Sequence, residues 1–146
     1  MLENLIESEP GKVLGWVEFR DGLELQVEFI GRRRFAEIQT KCTRTLWRRH
    51  QQVQELDETL LRDEFAKIIH DWRGLGRHNV RKFVMIRDDV EIPETIPFSK
   101  EGLLYIMDQA SGFDAFIVQT VTDVEAINRS RLDDEKKTSG TISTVS

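Results

Sequence analysis

From Val13 to Ile30, apolar and polar residues alternate on both sides of Asp21-Gly22, a pattern with the period of a strand and not of a helix. The stretch therefore reads as an antiparallel hairpin. A two-residue loop at Asp21-Gly22 pairs Phe19 with Glu24 and mixes the faces. A three-residue loop, Arg20-Asp21-Gly22, pairs Phe19 with Leu23, Val17 with Leu25 and Val13 with Phe29. It gathers the apolar side chains on one face and places Gly22 where a bulged turn needs a positive φ. The three-residue loop is the expectation. The other face, with Glu18, Glu24, Gln26 and Glu28, should be wet.

Four helices are expected to follow. Phe35, Ile38, Cys42 and Leu46 recur at helical spacing and predict a helix from about Arg33 to Leu46. Trp47 to Leu56 loses the pattern and reads as a loop or an edge strand. Asp57 can cap a second helix running to Trp72, with Leu61, Phe65, Ile68, Ile69 and Trp72 inward and Gly74 and Gly76 as its stop. Residues 77–98 are mixed. Phe83-Val84-Met85-Ile86 fits a strand or a helical turn, and Pro93 and Pro97 keep their surroundings extended. Ser99 caps a short helix to Gln109 with Leu103, Leu104 and Met107 inward. Ser111 and Asp114 resemble a capping box for a last helix carrying Phe113, Phe116, Ile117, Val121, Val124 and Ile127.

The fold class is thus α+β, an N-terminal β-hairpin followed by about four helices and a disordered C-terminal tail. Residues 1–11 form an N-terminal extension, 12–130 a single domain and 131–146 the tail, whose polar composition has little to bury. A chain of 146 residues is long enough for a core without staples. Its single cysteine, Cys42, excludes an intramolecular disulfide and fits a reducing cytosol. No apolar run is long enough for a transmembrane helix, and the acidic first residues do not resemble a signal peptide.

Charge is unevenly spread. Residues 31–50 hold seven bases and one acid in a chain of net charge −5. Arg32, Arg33, Arg34, Arg44, Arg48 and Arg49 form this basic patch, read first as a solvated helix face. Trp47 beside Arg48-Arg49 is compatible with stacking on nucleic acid, although nucleic acid is not the expected partner.

Catalytic patterns are missing from the sequence: no phosphate-binding glycine loop, no dinucleotide fingerprint, no zinc-protease helix and no nucleophile elbow. His70 reads as a dipole partner at a helix end, and Cys42 as a small buried hydrophobe. No enzymatic activity, cofactor or metal is expected.

The order of segments resembles the tail assembly chaperones of long-tailed (siphovirus-type) bacteriophages and prophages. The resemblance covers roughly residues 13–130 and is carried by Val27 to Cys42, Glu55 to Leu75 and Ile96 to Arg129. Its most specific marks are Asp71-Trp72-Arg73-Gly74-Leu75, Ile96-Pro97-Phe98-Ser99 and the aromatic helix around Phe113 and Phe116. It implies a non-enzymatic binder of the tape measure protein, kept in the bacterial cytoplasm and absent from the mature virion. Such a chaperone holds its long apolar helical partner soluble while tail tube protein polymerises. Contact with the tube protein and self-association would be compatible with that role.

Many such chaperones also have a longer frameshifted form. Glu135-Lys136-Lys137 would hold a slippery heptamer if encoded GAA-AAA-AAG. On this reading Trp16, Phe113 and Phe116 are the expected partner-binding residues. The alternatives are a structural tail or head-joining subunit, or a nucleic-acid-associated protein using the basic segment 32–49.

Overall fold

The structure, a computed structural model, describes residues 1–7 and 11–133. Two strands, β1 (Val13–Arg20) and β2 (Leu23–Phe29), form the expected hairpin. Helix α1 spans Gly31–Cys42. Strands β3 (Thr43–Arg48) and β4 (Gln51–Leu56) make a second hairpin. Helix α2 (Glu58–Ile68) runs directly into β5 (Ile69–Arg73). A long irregular segment with one 3-10 turn, Val80–Lys82, leads to α3 (Lys100–Gln109) and α4 (Phe113–Val121). A last helix, α5, covers residues 124–133. The class is α+β, as the sequence implies.

Strand β2 is the centre of a three-stranded antiparallel sheet ordered β1-β2-β5. Its side chains alternate strictly. Leu23, Leu25, Val27 and Phe29 are buried, while Glu24, Gln26 and Glu28 are half-buried on the opposite face. The inner face meets Phe65 and Ile68 of α2, Leu103 and Met107 of α3, and Phe113, Ile117 and Val121 of α4 in one core. Helices therefore lie on one face of the sheet, which is how an antiparallel sheet with a single apolar face buries it.

The first turn departs from expectation. Arg20 pairs with Leu23, so the loop is the two-residue Asp21-Gly22, both with positive φ (51° and 85°). The face conflict is removed by a bulge between Glu18 and Arg20. Val17 still pairs with Leu25, and Val13 with Phe29. The bulge turns Phe19 inward onto Phe83, Phe113 and Phe116, with ring centroids 5.9, 5.1 and 5.2 Å away. An extra residue that re-aims a side chain is a normal use of a bulge.

Other boundaries also move. Helix α1 stops four residues before Leu46, because Thr43 is already extended (φ −91°, ψ 132°) and its hydroxyl donates to Gln39 O at 2.7 Å. Asp57 caps α2 as expected, accepting from Leu60 N at 3.1 Å. That helix ends at Ile68, however, and Trp72 sits in a strand, paired with Leu25. Gly74 follows that strand and is not a helix cap. Its φ is +79°, and a Cβ there would lie 2.1 Å from Gly22 O.

Asn79, the buried polar residue of the core, holds this junction. Its amide donates to Asp21 O and Gly74 O (2.9 and 2.7 Å) and accepts from Gly76 N (3.0 Å). Residues 83–86 form neither a strand nor an α-helix, although Phe83 closes the 3-10 turn and is buried.

Ser99 caps α3, accepting from Gly102 N at 3.0 Å. Ile106 takes the inward place expected of Leu104, which is exposed. Helix α4 has Gly112 at its cap, with φ +79° and no side-chain cap bond, so the Ser111–Asp114 capping box does not form. The expected single last helix breaks at Thr122-Asp123. Asp123 then caps α5 by accepting from Glu125 N at 3.0 Å, and Val124 is exposed.

Helix α5 crosses the expected domain limit at 130. Arg131 meets Glu7 of the N-terminal extension at 2.5 Å. The expected disordered tail from 134 on, with Glu135-Lys136-Lys137, lies outside the described residues.

Candidate partner-binding groove

Trp72 lies at the base of an apolar groove of about 370 Å³ between the irregular segment 75–99 and α3. Strand β5 presents the indole inward. There the indole Nε1 donates to Ile96 O at 2.9 Å and the ring meets Phe98 edge-on at 5.0 Å. Gly102 lets α3 come this close, since a Cβ would lie 3.0 Å from Trp72 Cη2 and 2.9 Å from Ser99 Oγ. Leu75, Val80, Val84, Ile86, Ile96 and Ile106 add apolar lining.

The rim is open and apolar. Met85 is 85% exposed and Tyr105 57% exposed. Gln109 of α3 pins the rim by accepting from Met85 N at 2.8 Å. Lys100, in the first turn of α3, donates to Ala66 O and Ile69 O, carbonyls at the α2–β5 junction. Burial pulls the Lys100 ammonium below its ordinary range. A 370 Å³ apolar hollow falls within the size range of ligand and side-chain pockets, roughly 300–1,000 Å³. Its chemistry suits large apolar side chains.

The residues singled out from the sequence do not converge. Phe113 is only 1% exposed, a core residue against Phe19, and so is no contact surface in this fold. Phe116 is half-buried beside the same ring. Trp16 lies on the opposite face of the sheet, half-buried, with the Arg73 guanidinium 4.2 Å above its ring. Arg73 in turn bonds Glu24 at 2.5 Å. A sheet separates Trp16 from the two phenylalanines, so the three cannot form one groove.

The basic patch is also divided. Arg32, Arg33 and Arg34 belong to the first turn of α1, where Arg33 reaches Glu37 at 4.0 Å. Arg32 lines a larger hollow of about 930 Å³ between α1 and α4, edged by polar groups including Gln39, Asp114 and Asp123. Arg44, Arg48 and Arg49 belong to the β3–β4 hairpin, not to a helix face.

Cys42 is buried, and burial pushes its thiol above the ordinary range, as a small core hydrophobe requires. His70 stands at a bulge in β5, not at a helix end. Among the described residues no group of three or more acidic, histidine or cysteine side chains could hold a metal ion. No helix among them is long and apolar enough to cross a membrane.

The groove was missed from sequence because one of its two walls, with Val80, Met85 and Ile96, falls in the unpatterned stretch 77–98. The signal that could have found it was present. The two short motifs at 71–75 and 96–99 supply Trp72, Leu75, Ile96 and Ser99 to its wall. Compared with known proteins, the chain matches no family model, no curated protein and no solved structure.

Proposed function

We propose that this chain is a non-enzymatic tail assembly chaperone that binds apolar helical segments of a phage tape measure protein in the Trp72 groove. The observation that carries the reading is the meeting of the two motif segments at one open apolar hollow, with Met85 and Tyr105 exposed at its rim. An amphipathic helix buries its stripe in such a hollow by i, i+3/i+4 anchors. Exposed Met suits a partner whose anchor residues vary, because an unbranched thioether repacks easily. A role in the host cytoplasm, with departure before the virion matures, belongs to the same reading.

Co-expression with the tape measure protein encoded nearest the gene tests it. The long partner should become soluble and co-purify with this chain. Met85→Glu with Tyr105→Glu should cut the recovered partner by about tenfold, from lost burial of two large apolar side chains, without shifting the melting temperature. Insoluble partner with this chain and with any frameshifted longer form would sink the proposal. Recovery of the chain in purified virions would favour a structural subunit instead.

A further inference from the structure

We propose that the β3–β4 ribbon is a binding surface for single-stranded nucleic acid, a reading independent of the groove and of the chaperone role. The ribbon forms its own two-stranded sheet, and most residues on both of its faces are exposed. An isolated hairpin of this kind is marginally stable in water, and a bound partner would steady it.

Strand alternation and pairing divide the ribbon into two faces. Thr45 and Trp47 of β3 stand opposite Gln54 and Gln52 of β4 on a face without an acidic residue. The Trp47 indole is 72% exposed. A bare indole is a stacking platform for any base, and carboxamides both donate and accept as base edges do.

The other face and the turn carry the charge. Arg44 and Arg48 lie on that face, and Arg49 sits at the turn beside His50. Three arginines here face only Glu55 within the ribbon. Arg48 bonds Glu55 at 3.2 Å, and Arg44 lies 3.9 Å from Asp57. A local positive charge on a chain of net −5 is the electrostatic footprint of phosphate binding.

The arginines alone would also suit an acidic protein surface; the open indole among carboxamides and hydroxyls is what favours bases. A duplex hides the base faces that the indole would stack on, so the occupant is single-stranded.

Fluorescence anisotropy of labelled oligouridine and oligothymidine with the full chain tests this. Binding at micromolar protein is expected in low salt, with log K falling against log salt at a slope of roughly −0.7 for each phosphate neutralised. Trp47→Ala should weaken binding about tenfold. Arg48→Ala with Arg49→Ala should flatten the salt slope, and neither variant should shift the melting temperature of the body. The two oligonucleotides distinguish RNA from DNA as the source of the strand.

No binding in low salt, or binding untouched by these variants, would overturn the proposal. So would a duplex of equal length binding as tightly. Capture of polyglutamate in place of the oligonucleotides would assign the ribbon to an acidic protein. A dimer lost in Trp47→Ala, with no oligonucleotide binding, would assign it to a second copy of the chain.

Discussion

Asn79 makes three hydrogen bonds from a position almost without solvent, and each partner belongs to a backbone turn. Truncation would strand Asp21 O, Gly74 O and Gly76 N without their partner. Asn79→Ala should therefore cost about 2 to 3 kcal/mol, because a buried polar group left unpaired loses its full solvation. Chemical denaturation would measure it; a loss under half that size would mean the turn re-pairs with water.

Nothing in the residue type announces this role, since Asn in a loop usually signals a surface turn. The cap residues Asp57 and Ser99 were legible because their bonds are local, three residues along the chain. The bond from Asn79 to Asp21 spans 58 positions, and no local pattern encodes it.

At the scale of elements, alternation in β2 was readable because every second side chain meets the core. The register near the turn was not, since the bulge that satisfies both Asp21-Gly22 and Phe19 leaves no local mark. Strand β5 was hidden for another reason. Phe65, Ile68, Ile69 and Trp72 fit helical spacing, and Trp72 is buried by either geometry.

The β3–β4 turn is the extreme case. Arg49 and His50 both adopt positive φ, 53° and 66°, where Asn-Gly is the usual signal. Such conformations cost of order 1 kcal/mol or more for each side chain. Replacing the pair by Asn-Gly should slow hydrogen exchange across the ribbon about tenfold or more while leaving exchange in β2 unchanged. Equal slowing in both would mean that the ribbon and the sheet open as one unit.

Across the whole molecule, two carboxyls pull stability in opposite directions with pH. Lys41 and Lys67, 2.8 and 2.9 Å away, hold the Glu64 carboxyl below its ordinary range. Its stabilising contribution is complete above that range and is lost as pH falls through the lowered folded value.

Burial pushes Asp114 the other way, only partly offset by Arg62 at 3.8 Å, and its Oδ1 has no hydrogen-bond partner in the fold. Ionising Asp114 therefore costs stability as pH rises from its ordinary value through the raised one. Glu64→Gln should lower the melting temperature at neutral pH, and the difference should vanish in acid. Asp114→Asn should raise it at neutral pH and also converge with the parent in acid. Melting curves from acid to neutral pH check both signs, and a pH-independent difference in either variant would refute the assignment.

The hydrogen bond from Asp57 N to Cys42 O, 2.8 Å long, closes the base of the β3–β4 ribbon. Thr43 and Leu56, directly paired above it, enter and leave the excursion side by side. The ribbon is thus a cassette. Its length and composition can change, by deletion, exchange or grafting of a foreign loop, while the path from α1 to α2 stays the same. An engineer could treat the position as a ready-made port.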